Sequence, residues 1–126
     1  MEQIFTKAAP KPGGHYAQAI KHGDLIFISG QLPIDPKTMQ KNIGSIESQT
    51  LLVLQNLVAI AEAAGSAKDH ILKITVFISD ISLWAQVNEV YAAFFGDHKP
   101  ARAIVPTKDL HFGFLIEMDA MAAAIS

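Results

Sequence analysis

Two secondary-structure patterns follow each other in residues 45–79, SIESQTLLVLQNLVAIAEAAGSAKDHILKITVFIS. In the first, mainly apolar residues recur at alternating spacings of four and three from Ile46 to Ala64, which predicts a helix with one buried face. Ser45 is a suitable N-cap for this helix, and Gly65 a suitable stop. The second pattern, Ile71–Ser79, is rich in β-branched and aromatic residues and predicts a strand that is buried on at least one face.

The flanking sequence adds a second helix and further strands. The helix is predicted at Ser82–Phe95, before Gly96, and a loop at Gln31–Gly44. The strands are predicted at Tyr16–Lys21, Leu25–Ser29, Arg102–Thr107 and Leu115–Ile125. The order β-β-loop-α-β-α-β-β indicates an α+β fold in which two helices pack on one face of a mixed β-sheet. The other apolar face of the sheet needs cover, so we expect self-association.

The length and composition of the chain are those of one domain, residues 1–126. The net charge is −2 and the cationic residues are scattered, so nucleic acid is not an expected partner. The sequence contains no cysteine, which excludes a disulfide scaffold, a zinc–thiolate site and a thiol nucleophile. Glu2 and Lys7 interrupt the first apolar stretch, and no apolar run reaches the roughly 20 residues of a membrane span. We therefore expect a cytoplasmic protein with no membrane partner.

The cationic residues include one arginine, Arg102, among nine lysines. A guanidinium presents a planar fork that binds a carboxylate through two hydrogen bonds and keeps its charge, which a lysine ammonium does not reproduce. Arg102 begins an apolar strand, so part of its side chain is expected to be shielded from water. It is a candidate ligand-binding residue, and an ordinary structural ion pair is the alternative.

Other polar residues also lie on apolar strands. Glu117 and Asp119 share one face of the last predicted strand, where a carboxylate is costly unless it is paired or used in catalysis. They are candidates for a general base and its orienting partner, or for a pair with Arg102. Ser29 and Gly30 end a strand, and they offer a hydroxyl beside a glycine whose backbone a ligand can approach closely. The five histidines lack metal-ligand spacing, so no metal is expected.

Taken together, short segments along almost the whole chain resemble one family, the Rid (YjgF-type) family of reactive intermediate deaminases. The matching segments are Ala9-Pro10, residues 14–19 (GHYAQA), Ser29-Gly30-Gln31, Asp35-Pro36, Gln49-Thr50, Leu54-Gln55-Asn56, Ala64-Gly65, residues 73–77 (KITVF), residues 88–95 (NEVYAAFF), Pro100-Ala101-Arg102 and residues 116–120 (IEMDA). Their combination at these spacings is highly specific.

The resemblance implies a chorismate-mutase-like α+β fold that assembles as a homotrimer, with clefts between subunits. It also implies a hydrolase that needs no cofactor and converts 2-enamino and 2-imino acids, such as 2-aminoacrylate and 2-iminobutanoate, to 2-keto acids and ammonia. In that family's pattern, Arg102 would clamp the substrate carboxylate and Glu117 would act with the attacking water. The cleft would be lined by Tyr16, Ser29, Gly30 and Asn88, and the backbone at Ile104 would meet the substrate nitrogen.

Three positions depart from the pattern of that family. His15 and His111 replace prolines, and Ile104 replaces a frequent cysteine. Arg102 and Glu117 are kept, so the departures concern substrate preference more than deaminase chemistry. A histidine at the cleft mouth, His111, would favour a second carboxylate or polar group on the substrate. The alternative function is a non-catalytic trimeric module that senses small carboxylates in the same clefts.

Overall fold

The helical pattern of residues 45–64 forms α1, Ile46–Ala63, in the computed structural model, which describes residues 1–125. Ser45 caps the helix as expected, because its side-chain oxygen accepts a hydrogen bond from the Ser48 amide at 3.1 Å. The second helix, α2, spans Trp84–Phe95 and ends at Gly96. Gly96 has a φ of 64°, in the left-handed region where a side chain would be strained and glycine is favoured. Both predicted helices are therefore confirmed, and α1 packs against α2 and the sheet.

Six strands form one mixed sheet with the order β1-β2-β3-β6-β4-β5. The strands are β1 Glu2–Ile4, β2 Ala19–His22, β3 Leu25–Gln31, β4 Ile71–Ile78, β5 Ala101–Pro106 and β6 Ile116–Ala123. All neighbouring strands are antiparallel except β4 and β5, which are parallel because α2 connects them. The predicted α+β sheet with its two helices is confirmed.

The strands differ from the sequence prediction at the N-terminal edge. β1 was not predicted, since it is three residues long and begins with two polar side chains. The strand expected from Tyr16 begins at Ala19, because the Tyr16 amide donates to the Gly14 carbonyl at 3.0 Å and closes a tight turn. Gln31, expected in the loop, is the last residue of β3.

The helices cover one face of the sheet and leave the other open. On β6, Ile116 and Met118 are fully buried beneath the helices, whereas the intervening Glu117 is only partly buried. Leu25, Phe27 and Val105 on other strands are exposed by 38–42%. The open face thus carries exposed apolar side chains, as the sequence predicts, together with the carboxylates of Glu117 and Asp119. No helix of residues 1–125 is long and apolar enough to cross a bilayer.

Candidate active site

A bulge in β3 shapes the centre of the candidate site. Ile28 pairs with Ala120 and Gln31 with Met118, so three steps along β3 match two along β6. The extra residue lies at Ser29–Gly30, where the strand bends away from the regular ladder. The predicted glycine-containing strand end is therefore a bulge that faces the partner strand β6.

Gly30 leaves room at this bulge for the Glu117 carboxylate, which occupies the space that a side chain would take. A Cβ built on Gly30 would overlap Oε2 of Glu117. The Ser29 hydroxyl donates to the Ala17 carbonyl at 2.7 Å and ties the bulge to the segment that contains Tyr16. Gly30 and Glu117 thus meet because β3 pairs with β6, which their separate positions in the sequence do not reveal.

A cavity of about 290 Å³ opens over the Glu117 carboxylate, and we refer to it as the Glu117 cavity. Its walls combine four of the predicted site residues with two further side chains. They are Tyr16, Ser29, Gly30, Leu32, His111 and Glu117. The structure therefore brings the predicted base, the strand-end glycine and hydroxyl, and the tyrosine to one place.

The electrostatics of this cavity favour a proton-accepting carboxyl. Burial raises the pKa of Glu117 above its ordinary value, and repulsion from the Asp119 carboxylate raises this pKa further. The charge of His111 acts in the opposite direction and lowers the pKa of Glu117. A carboxyl whose pKa is raised is a stronger base once ionised, which suits it to take a proton from water.

Arg102 lies in a different environment, on the side of α2. Its Nη1 donates to Oδ1 of Asn88 at 2.9 Å, and its guanidinium lies 4.7 Å from the ring centroid of Tyr91 and 5.6 Å from that of Trp84. None of these three neighbours carries a negative charge. The guanidinium is held by an amide and two aromatic rings, an arrangement that leaves its charge available for an anionic ligand.

A cavity of about 340 Å³ borders this arginine, and we refer to it as the Arg102 cavity. Asn88, Tyr91 and Arg102 are among its walls. The Tyr91 hydroxyl is buried without a hydrogen-bond partner in residues 1–125, and burial raises the pKa of Tyr91 to about 12. Arg102 counteracts this rise, because its positive charge favours the phenolate. Tyr91 therefore remains neutral beside the guanidinium at physiological pH.

Within one chain the predicted site residues form two groups rather than one. Tyr16, Ser29 and Gly30 surround Glu117, whereas Asn88 lies with Arg102. Ile104 is on the edge strand β5, and its side chain packs against the core. No group of three or more histidine, aspartate or glutamate side chains in residues 1–125 is arranged to hold a metal ion.

Three buried amide side chains fix the segments around the Glu117 cavity, and sequence reasoning did not identify them. Gln18 donates to the Thr6 and Pro10 carbonyls, each at 3.0 Å. Gln49 donates to the Gly44 carbonyl at 3.0 Å and accepts from the Leu115 amide at 2.9 Å. Asn56 donates to the Leu32 and Ile34 carbonyls at 3.2 and 3.1 Å. For Gln49 and Asn56 the available signal was an amide within an otherwise apolar helical face, whereas Gln18 lies just before β2 and carried no such signal.

The sheet, its bulge and the partly buried carboxylate define a small α+β protein with a ligand cavity beside the Gly30–Glu117 contact. The sequence of residues 6–124 matches the family described as Endoribonuclease L-PSP. A RutC family protein of Pyrococcus horikoshii is 50% identical over 121 residues, which cover 96% of each chain. The chain therefore belongs to the Rid (YjgF-type) family, as the sequence resemblance indicates.

Solved structures agree with this membership over nearly the full length. RidA from the Antarctic bacterium Psychrobacter sp. is 37% identical, with a TM-score of 0.93 over 98% of this chain and 99% of that one. The YjgF gene product of E. coli is 38% identical, with a TM-score of 0.93 over 98% of both chains. E. coli TdcF with bound serine is 36% identical, with a TM-score of 0.94 over 99% of this chain and 100% of that one.

Proposed function

We propose that the chain is a cofactor-free deaminase that hydrolyses reactive 2-imino and 2-enamino acids, such as 2-iminobutanoate and 2-aminoacrylate, to 2-keto acids and ammonia. The observation that supports this most is the presence of two side chains, Glu117 and Arg102, whose surroundings suit them to act as a base and as an anion-binding group. Glu117 is a partly buried carboxyl with a raised pKa, and Arg102 is a guanidinium whose neighbours Asn88, Trp84 and Tyr91 are all uncharged. One base and one anion-binding group are what a small 2-imino acid requires.

The reaction adds water across the carbon–nitrogen bond. Glu117 accepts a proton as the water oxygen bonds to C2 of the imine, which gives a tetrahedral carbinolamine. Starting from the protonated imine, this carbinolamine is neutral. The proton passes from Glu117 to its nitrogen, and as the carbon–nitrogen bond breaks, the hydroxyl proton of the carbinolamine returns to Glu117, so that ammonia leaves and the 2-keto acid forms. A 2-enamino acid follows the same route after its C3 takes up a proton and the enamine becomes the imine. An imine reacts with water unaided, so orientation by Arg102 and proton transfer by Glu117 suffice, without a cofactor.

In this proposal the complete site lies between two subunits of a homotrimer. Arg102 and Glu117 border separate cavities in one chain, and the open face of the sheet carries exposed apolar side chains, so association would cover them and bring the two groups from neighbouring chains together. Asn88 would orient the guanidinium. The backbone at Ile104 on edge strand β5 would meet the substrate nitrogen, and Tyr16, Ser29 and Gly30 would line the wall.

A coupled assay tests the proposal directly. 2-Iminobutanoate is generated in place by an amino acid oxidase, and its disappearance is followed with and without the chain. We expect hydrolysis well above the spontaneous rate, its loss in Glu117→Gln, and its retention in Glu89→Gln, which changes an exposed carboxylate on α2. Binding of 2-oxobutanoate without any hydrolysis would overturn the deaminase and favour a carboxylate-sensing module.

A further inference from the structure

A second, larger cavity of about 420 Å³ continues from the Glu117 cavity, and we refer to it as the outer cavity. The two share the walls formed by Tyr16, Gly30, Leu32 and His111. A ligand whose reacting carbon lies near Glu117 can therefore extend into the outer cavity without crossing a wall. The proposed reaction uses no residue that lies in the outer cavity alone.

The walls of the outer cavity combine apolar and cationic side chains. Leu32, Met39 and Phe112 provide apolar surface, whereas Lys11, Lys41 and His111 provide positive or protonatable groups. Of the residues that the structure describes, those lining this cavity include no aspartate or glutamate. Such a lining suits a ligand with a short aliphatic chain that ends in an anion.

Lys41 packs against an aromatic side chain of the cavity wall. Its Nζ lies 4.5 Å from the ring centroid of Phe112, and its backbone bridges to that of Ile34. Phe112 in turn contacts His111 and Phe114, whose ring centroids lie 3.6 and 5.9 Å from its own. A lysine stacked on an aromatic ring at a cavity wall loses less freedom on binding an anion than a free surface lysine does.

The segment that presents Lys41 is ordered by its own hydrogen bonds. The Asp35 amide donates to the Gln40 carbonyl at 2.9 Å, and the Met39 amide donates to the Asp35 carbonyl at 2.8 Å. Met39 has a φ of 61°, which turns the chain back so that Lys41 faces the cavity. Asn56 anchors the start of the same segment from α1. The backbone that presents Lys41 to the cavity is therefore an ordered part of the fold.

We infer that the outer cavity is a specificity subsite for a second carboxylate, so that the chain prefers 2-imino and 2-keto acids with an anionic distal end. Lys11 and Lys41 bind that distal carboxylate, and Leu32 and Phe112 contact the methylenes between the two ends. His111 lies at the boundary and contacts the middle of the ligand. The inference rests on the proposed function for the reacting end, and it adds the substrate class.

Binding of stable 2-keto acids tests the subsite separately from turnover. Titration calorimetry compares 2-oxoadipate with 2-oxohexanoate, which have equal carbon counts and differ in a distal carboxylate against a methyl group. We expect the wild type to bind 2-oxoadipate more tightly by about fivefold, the scale of exposed ion pairs, with the difference shrinking as salt is raised. The double variant Lys11→Gln/Lys41→Gln is expected to lose this preference and to keep its affinity for 2-oxobutanoate.

Lys37→Gln is the matched control, because Lys37 is an exposed lysine of the same segment that lines neither cavity. It is expected to keep the wild-type preference. Equal binding of the two six-carbon acids by the wild type, or an unchanged ratio in the double variant, would overturn the subsite. If 2-iminobutanoate is still hydrolysed in that case, the proposed function stands; if it is not hydrolysed and no keto acid binds, both fail.

Discussion

Arg102 and Glu117 lie two strands apart in the sheet, and their side chains leave it on opposite faces. Arg102 pairs with Ile74, whereas Glu117 pairs with Phe77, three residues further along β4. Strand spacing and rise place the two Cα atoms roughly 14 Å apart. Arg102 turns toward Asn88 on α2, and Glu117 alternates with the side chains buried beneath the helices. One chain therefore cannot place both groups on one small 2-imino acid.

Removing the guanidinium is expected to abolish deamination. Arg102→Ala deletes the group proposed to bind the substrate carboxylate, and should cost about 2 to 4 kcal/mol of transition-state stabilisation. Arg102→Lys should recover only a small part, because a point charge does not fix the orientation of the carboxylate. Steady-state kcat/KM on 2-iminobutanoate measures both. Turnover at the wild-type level in Arg102→Ala would contradict the assignment.

The raised pKa of Glu117 predicts the pH dependence of the reaction. Glu117 must be ionised to act as a base, so the acid limb of kcat/KM should lie above the ordinary pKa of a glutamate. Asp119→Asn removes a repulsive charge and should shift this limb to lower pH, whereas His111→Gln should shift it to higher pH. Shifts of the same sign in both variants would show that the limb reports another group.

The same raised pKa has a consequence for stability. The folded chain binds the Glu117 proton more tightly than the unfolded chain does. The resulting contribution to the free energy of unfolding is therefore fully present below the ordinary pKa of a glutamate, and it is lost as pH rises through the raised pKa of Glu117. Denaturant unfolding of wild type and Glu117→Gln over this range should show a steeper decline with pH in the wild type. Parallel curves would mean that the carboxyl is not shielded in solution.

Asn56 is expected to hold the segment that forms the outer cavity. Asn56→Ala removes two hydrogen bonds to the Leu32 and Ile34 carbonyls, and should lower the free energy of unfolding by about 1 to 3 kcal/mol. Limited proteolysis should also cut residues 32–44 faster than in the wild type. Gln55→Ala, an exposed neighbour on α1, is the control and should change little. Equal effects of the two variants would show that Asn56 does not hold this segment in place.

Trimer formation is expected to depend on the open sheet face. Phe27→Glu places a charge on that face and should give monomers, whereas the wild type should show about three times the chain mass of 13.6 kDa by light scattering. Leu51→Glu is the matched control, since Leu51 lies on α1 and is 41% exposed against 42% for Phe27. A wild-type mass near that of one chain, or a trimer in Phe27→Glu, would contradict the proposed assembly.

The close approach of the Glu117 carboxylate to Gly30 predicts that a side chain at position 30 lowers activity. Gly30→Ala introduces a Cβ where the Glu117 carboxylate lies, so the carboxylate must move and kcat should fall strongly. Far-UV circular dichroism should stay close to that of the wild type, because the bulge already interrupts the ladder of β3. An unchanged kcat would show that the carboxylate position is not critical.

The sequence alone determined the two helices, the central strands and the open apolar face, because these follow from local periodicity and capping. It also singled out Arg102 by composition and Glu117 by its polarity within an apolar strand. The bulge at Ser29–Gly30, the close approach of the Glu117 carboxylate to Gly30 and the anchoring by Asn56 were decided by tertiary structure. Each joins segments that lie far apart in the chain, and strand pairing and side-chain packing, which bring them together, have no local signal.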